Sequence, residues 1–280
     1  MNTIKLKSML EHFYIEDIGD GDLSSDLLFS ETQMGELTII AKMGGIFCGS
    51  KVIEYGLKVV DPASTVICHV KDGDPIGEGT VIATASGPVS SLLKSERVIL
   101  NLIQRMSAIA TETNRVMKKI SGTGTKVVDT RKTVPGLRML DKYAVRTGGG
   151  FNHRNGLFDA VMLKDNHLAF AGSITKAVET VRVALGHTVK IEVEIESFEQ
   201  LQEAVDAKVD IIMFDNCTPE IIKEWRKSVP ESIITEASGM ITDETINAYA
   251  ESGVDYISLG YLTHSVKALD ISANVSINAH

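Results

Sequence analysis

The sequence predicts an α/β protein whose C-terminal part is a (β/α) barrel. Three observations point there. The chain changes rhythm near residue 110, from short strands punctuated by glycine to strands that alternate with helices. That alternation repeats roughly six times, at the crossover lengths parallel strands need and without tandem sequence identity. Nearly every strand of the second part also ends in charged or small polar residues. A barrel gathers all its strand ends at one mouth, whereas an open doubly wound sheet gathers them only around its switch point. Polar ends on every strand therefore favour the barrel.

In the first part, ELTIIAKM (36–43), STVICHV (64–70) and GTVIATAS (79–86) read as strands, set apart by GDG, GDP and GEG turns. A long helix is predicted from Ser90 to Ile120, with Leu93, Val98, Leu102, Ile103, Met106 and Ile109 on one face. Gly122 and Gly124 end it. The strands that follow are KVVDT (126–130), AVMLKDN (160–166), VKIEVEIE (189–196), DIIMFDN (210–216), SIITEAS (232–238) and VDYISLG (254–260). Helices are predicted between them over 136–147, 173–185, 197–207, 219–228 and 242–252. Ser197 with Gln200 forms a capping box, Pro219 follows Thr218 as a first-turn proline, and Thr242 is placed to cap the last of these helices. In VKIEVEIE, Ile191, Val193 and Ile195 alternate with Glu192, Glu194 and Glu196. With the apolar set against the helices, the glutamates point into the barrel.

With 280 residues, 44% of them hydrophobic and 23% charged, the chain has the make-up of a globular protein of one large or two modest domains. A net charge of −9 argues against a general nucleic-acid binder. No apolar run reaches membrane-spanning length and the N-terminus lacks a signal-peptide pattern, so a cytoplasmic location is expected. Cys48, Cys68 and Cys217 give an odd count with no C-x-x-C spacing, so neither a disulfide framework nor a zinc site is supported. Cys217, in FDNCTPE, reads as a small strand-end residue in preference to a nucleophile, because no general base is spaced for it.

Against that acidic background, Arg131, Lys132, Arg138, Arg146, His153, Arg154 and Lys164 crowd into one stretch. Any one of them could lie on a solvated surface face. Convergent cations without matching acids fit a substrate with several negative charges. Glu194 and Asp215, on neighbouring strands, could hold a divalent cation such as Mg²⁺ or pair with nearby lysine or arginine. Ser238-Gly239 and Gly260 close the last two strand–helix units, where backbone N–H groups can cradle a phosphate, although glycine after a strand is also ordinary turn chemistry.

The run DTRKTVPGLRMLDKYAVRTGGGFNHRNGLFDAVMLKDNH (129–167) resembles the core of the quinolinate phosphoribosyltransferase (nicotinate-nucleotide pyrophosphorylase) family. So do GDLSSDLL (21–28), LKSERVILNLIQRMSAIAT (93–111), KIEVEIES, IIMFDN, EASGMI and GVDYISLGYLTHSVKALDIS (253–272). The resemblance implies an N-terminal α/β sandwich (1–110) packed on an incomplete (β/α) barrel (111–266), with the tail 267–280 returning to the first domain. It implies transfer of the phosphoribosyl group of phosphoribosyl pyrophosphate to quinolinate, giving nicotinate mononucleotide, pyrophosphate and CO2 for de novo NAD synthesis. By the same resemblance Arg131, His153, Arg154 and Lys164 meet quinolinate, joined by Arg105 from the partner of a homodimer, with a hexamer left open. Lys132, Lys164 and Arg138 then face the phosphoribosyl and pyrophosphate groups. Glu194 and Asp215 serve the ribose hydroxyls and Mg²⁺, and Ser238, Gly239 and Gly260 the 5′-phosphate.

Two departures from the family pattern stand out. Thr147 replaces a frequent cysteine, and Met240 follows Ser-Gly where a further glycine is frequent. A molybdate-transport-associated paralogue acting on another base is the nearest alternative, and Arg105, Arg131, His153 and Arg154 speak against it. A Schiff-base aldolase using Lys164 would leave the anion-binding surplus unexplained. A non-catalytic binding protein would have no use for Glu194 and Asp215.

Overall fold

The structure is a computed structural model that describes residues 1–277, so residues 278–280 of the expected returning tail lie outside it. The chain divides into two compact units. One comprises Met1–Glu112, Met139–Gly148 and the chain from Ser265 onward; the other comprises Thr113–Arg138 and Gly149–His264. Residues 139–148, which the sequence reading keeps inside the barrel domain, thus belong to the first unit.

The first unit begins with helices α1 (Thr3–Ile18) and α2 (Ser25–Leu28). There follow β1 (Met34–Ala41), β2 (Gly45–Ile46), α3 (Ser50–Val60), β3 (Thr65–Cys68), β4 (Pro75–Ile76) and β5 (Val81–Pro88). The unit ends on the long helix α4 (Val89–Lys119), inside which the boundary between the units falls. Helix α1 buries Leu6, Leu10 and Tyr14, one residue per turn, and Asn2 caps it by accepting from the Lys5 amide at 3.1 Å. Along β1, Leu37, Ile39 and Ala41 are buried and alternate with more exposed residues, as a half-buried antiparallel strand requires. In α4 the buried stripe runs through Ile99, Ile103, Met106 and Ile109. At its first turn, however, Leu92 is the fully buried residue, and the expected Leu93 is only half-buried.

The second unit carries β6 (Lys126–Val128), followed in the chain by α5 (Arg138–Thr147), which lies almost wholly in the first unit. Then come β7 (Val161–Leu163), α6 (Asp165–Ala171), α7 (Ile174–Ala184), β8 (Ile191–Ile195), α8 (Phe198–Asp206) and β9 (Ile211–Asp215). Helix α9 (Pro219–Trp225), β10 (Ile234–Ser238), α10 (Ile246–Ala250), β11 (Tyr256–Ser258) and α11 (Tyr261–His264) complete it. The last described strand, β12 (Ile271–Ile277), belongs to the first unit, where it pairs antiparallel with β1 from Gly35↔Ile277 to Ala41↔Ile271. The antiparallel sheet there runs β12-β1-β5-β3.

The parallel sheet runs β6-β11-β10-β9-β8-β7. This is chain order bent into a ring, open at one seam: among the described residues no ladder joins β6 to β7, and only a bridge between Val128 and Phe151 spans part of the gap. The result is an incomplete barrel. Its core is the apolar face of each strand. Val193 and Ile195 of β8, Ile212 and Phe214 of β9, Ala237 of β10 and Ile257 of β11 pack with helix residues such as Val178, Leu201, Ile222 and Ile246. The alternate residues face inward.

The capping box is present: Ser197 Oγ accepts from Gln200 N at 3.2 Å and Gln200 Oε1 accepts from Ser197 N at 3.2 Å. Thr218 accepts from the Ile221 amide, with Pro219 in the first turn. Thr242 does not cap α10. That helix starts at Ile246, after a turn in which the Thr242 hydroxyl bonds to Glu244. Thr245 occupies the cap with no side-chain bond into the helix, its Oγ1 instead accepting from Thr242 N at 3.0 Å. Replacing Ser197 by alanine should therefore lower stability by about 1 kcal/mol in urea unfolding, and replacing Thr245 by much less.

Candidate active site

The carboxyl ends of the parallel strands line an open cavity of about 490 Å³. The end of β6 contributes Arg131 and Lys132, and the loop after α5 contributes His153 and Arg154. Met162 and Lys164 come from β7 and its end, and Glu194 comes from β8. Strand β9 adds Met213 and Asp215, with Asn216 just beyond; β10 adds Glu236 and Ser238, followed by Gly239 and Met240; β11 adds Ser258.

The His153 loop is held from below. Asp129, fully buried at the end of β6, accepts from the His153 amide at 2.9 Å and from Asn152 Nδ2 at 2.6 Å. Imidazole Nδ1 in turn accepts the Arg154 N–H at 2.8 Å, which leaves the ring proton on Nε2. That atom lies 3.0 Å from Glu192 Oε2 and 3.7 Å from Glu236 Oε1.

Glu192 and Glu236 are 1% and 4% exposed, so two ionised carboxylates there would be costly. Burial first, then the Glu192 charge, pushes Glu236 well above the usual carboxylate range. Glu236 Oε1 has no hydrogen-bond partner. The donor atoms of His153, Glu192 and Glu236 lie within 4.8 Å of one another. Because Nε2 already directs its proton at Glu192, the trio is a proton-sharing cluster in preference to a cation site. Neither glutamate was singled out from sequence for a role of its own. The available signal was the strand period, which puts Glu236 on the same face as Ser238.

Two residues further along β8, Glu194 pairs with Lys164. Burial nevertheless holds the Glu194 carboxyl above its ordinary value, with the Asp215 and Glu192 charges adding to the shift and Lys164 opposing it. Glu194 and Asp215 also share a smaller recess with Asp165, Glu196 and Gln200. An all-oxygen donor set of this kind suits a hard divalent cation. Glu196 itself is exposed at the rim, so of the three expected inward glutamates only Glu192 and Glu194 are drawn inside.

Among the described residues no acid is ion-paired with Arg131, Lys132 or Arg154. Burial, then the neighbouring Arg131 charge, lowers the Arg154 pKa, against the opposing charges of Glu192, Asp159 and Glu194. The opposite rim is conformationally unusual. Of the three non-glycine residues with positive φ among the described residues, Asn216 and Met240 both line the cavity. Between them Gly239 has φ +89°, and a Cβ there would lie 2.2 Å from Asn216 Oδ1, so only glycine fits.

Three expected residues lie elsewhere. Gly260 is not in the lining; a Cβ on it would come within 2.9 Å of Lys132 Cδ, so its bareness makes room for the lysine stem. Arg138 uses its guanidinium on Thr133 Oγ1 and the Asn155 carbonyl, both at 3.1 Å, and so braces loops instead of entering the cavity. Arg105, in the first unit, is bidentate to the fully buried Asp141, at 2.8 Å for each bond. Cys217 is buried, donates to the Asp215 carbonyl, and has its thiol pushed up to about 11 by burial, in keeping with an inert residue.

A parallel barrel with uncompensated cations at its mouth and a left-handed glycine turn opposite defines an enzyme acting on a polyanionic substrate. The chain belongs to the quinolinate phosphoribosyl transferase family. Residues 22–107 match the family's N-terminal domain and residues 109–274 its C-terminal domain. It is 53% identical to the Bacillus subtilis (strain 168) protein named "Probable nicotinate-nucleotide pyrophosphorylase (carboxylating)", over 99% of this chain and 96% of that one. Against the Nicotiana tabacum protein named "Quinolinate phosphoribosyltransferase (decarboxylating) 2b, mitochondrial" it is 37% identical, over 98% of this chain and 83% of that one. The crystal structure of NadC from Streptococcus pyogenes superposes with a TM-score of 0.95 at 37% identity, covering 100% of this chain and 99% of that one.

The raised Glu236 carboxyl has a stability consequence. The folded chain keeps a proton that the unfolded chain loses near pH 4.5, so stability falls as pH rises from there until Glu236 ionises in the fold. Glu192, His153 and Asp129 face it and set the upper end of that window. Glu236→Gln should flatten the decline by up to about 1.4 kcal/mol per pH unit. Urea unfolding from about pH 5 to about pH 9 measures this, and parallel slopes for the two proteins would show an ionised Glu236.

Proposed function

We propose that this chain joins the phosphoribosyl group of phosphoribosyl pyrophosphate to the ring nitrogen of quinolinate, releasing pyrophosphate and CO2 and leaving nicotinate mononucleotide, a step of de novo NAD synthesis. The observation that carries this reading is the set of cations, Arg131, Lys132 and Arg154, gathered at the cavity without paired acids. Two polyanions must be held side by side against their mutual repulsion, and such a pocket supplies the compensating charge.

Arg131 and Arg154 clamp the two quinolinate carboxylates through planar, bidentate contacts, and His153 fixes the edge of the ring. Lys132 meets the pyrophosphate. The Ser238-Gly239 turn receives the 5′-phosphate, while Gly260, by making room for the Lys132 stem, serves the pyrophosphate. As pyrophosphate departs, positive charge grows on the ribose, and the Glu194 and Asp215 carboxylates stabilise it while accepting from the ribose hydroxyls. Lys164, released from Glu194 as that acid turns to the sugar, reaches the nearer carboxylate. Glu194 and Asp215, in their oxygen-lined recess, are also the residues that would hold Mg²⁺. Bound there, the ion would neutralise charge on the leaving pyrophosphate.

We further infer a homodimer in which Arg105 enters the partner's site. Its bidentate bond to Asp141 supports this by fixing the guanidinium direction in advance. A cytoplasmic location agrees with three free cysteines and with the absence, among the described residues, of any helix long and apolar enough to cross a membrane.

A coupled assay with quinolinate, phosphoribosyl pyrophosphate and Mg²⁺ should yield nicotinate mononucleotide and CO2, with no turnover of nicotinate as control base. Turnover of nicotinate in place of quinolinate would overturn the assignment. Arg154→Ala should lower kcat/KM for quinolinate about ten- to two-hundredfold. Mixing and re-associating inactive Arg105→Ala and Lys164→Ala proteins should restore about a quarter of wild-type activity, because half the dimers then hold one intact composite site. No recovery would place Arg105 in its own chain's site.

A further inference from the structure

Loss of CO2 from the ribosylated pyridine leaves an electron pair on a ring carbon, and some group must protonate it. Few groups in the cavity wall can. The arginines Arg131 and Arg154 do not release protons at all. The only ring proton of His153 is directed at Glu192, and its other nitrogen accepts the Arg154 amide. Lys164 is held by an anion throughout, Glu194 in the free protein and the nearer quinolinate carboxylate in the working complex. Glu194 is committed to Lys164 and then to the ribose, and Lys132 is an exposed side chain at the pyrophosphate end. The Ser238 and Ser258 hydroxyls are too weak as acids.

Glu236 differs from all of these. It projects into the cavity from β10, two residues before Ser238, is 4% exposed, and has an oxygen, Oε1, without a hydrogen-bond partner. Of the groups facing it, Glu192 from β8 and Asp129 after β6 oppose a second negative charge, whereas His153 from the following loop and the Ser258 hydroxyl favour one. Burial and the Glu192 charge outweigh these two. With Glu192 already accepting the His153 proton, the protonated member of the acid pair is Glu236.

We propose that Glu236 is the general acid that delivers the proton to the carbon vacated by CO2. The inference rests on the quinolinate reading above. In the step, the bond from ring carbon 2 to its carboxylate breaks, the electron pair stays on that carbon beside the cationic nitrogen, and CO2 leaves. The O–H bond of Glu236 then breaks as the C–H bond forms, giving nicotinate mononucleotide and a Glu236 carboxylate. A water proton restores the acid before the next cycle. The Glu192 charge, 3.0 Å from His153 Nε2, keeps Glu236 from remaining ionised between turnovers.

The test is rapid chemical quench of a single turnover, reading pyrophosphate and nicotinate mononucleotide separately. Wild type should form both with one rate constant. Glu236→Gln should keep pyrophosphate formation within a few-fold and slow nicotinate mononucleotide by about a hundredfold or more, so that the dicarboxylated mononucleotide accumulates. Glu236→Asp, which retains an acid, should recover part of the second step while leaving the first unchanged, and it supplies the same comparison if the glutamine variant does not fold. Equal slowing of both products, or nicotinate mononucleotide at the wild-type rate in Glu236→Gln, would overturn the proposal. A wild-type enzyme that forms no pyrophosphate would instead overturn the reaction assignment, and the role of Glu236 with it.

Discussion

The pleat of a strand buried on both faces is the constraint on which everything else in the second unit rests. Each parallel strand must satisfy two environments at once, and the two-residue period divides them without overlap. In β8 the division is complete: Ile191, Val193 and Ile195 complete the apolar layer under the helices, and Glu192 and Glu194 point the other way. Parallel direction does the rest, since it brings the polar ends of successive strands to one rim. No separate device is needed to assemble the site. It is the inner face of the core.

That arrangement forces acids and bases into close quarters, and the structure resolves the conflict differently at successive inward positions of β8. Glu194 pairs with Lys164 although it is largely buried. Two residues back along β8, Glu192 meets His153 and, through it, Glu236, with burial pushing the Glu236 carboxyl up. Among the described residues no acid forms an ion pair with Arg131, Lys132 or Arg154 nearby. A chain of net charge −9 thus still gathers Arg131, Lys132 and Arg154 at one mouth, beside the Glu194 and Asp215 carboxylates.

Much of this was legible in the residues. Six strand–helix units, the capping box at Ser197 and the proline start of α9 follow from periodicity and local hydrogen bonding, which few tertiary contacts can override. Residues directly at strand ends, such as Arg131, Lys164 and Asp215, were legible for the same reason. What escaped was decided by neighbours distant in sequence. Whether Thr242 or a later residue opens α10 depends on the turn before it, and which leucine of α4 is buried depends on how its first turn meets the sheet. Arg138 looked like its catalytic neighbours but spends its donors on Thr133 and Asn155. Glu236 was visible only as a polar strand end. Its chemistry comes from burial and then from Glu192, a strand and 44 positions away, and no local pattern carries either.

The pairing of β12 with β1 has a consequence for how the protein is made. Strand β1 needs residues 271–277 as its edge partner, and these are synthesised only after the whole barrel unit. The first unit is therefore the first to begin and the last to be completed, and its β1 edge stays open on the ribosome while the barrel strands emerge in sequence. Contacts closed over so long a stretch of chain form slowly, and an open apolar edge is the usual route to mispairing. Nascent chains of this protein are thus most exposed to aggregation in the interval just before their final strand appears.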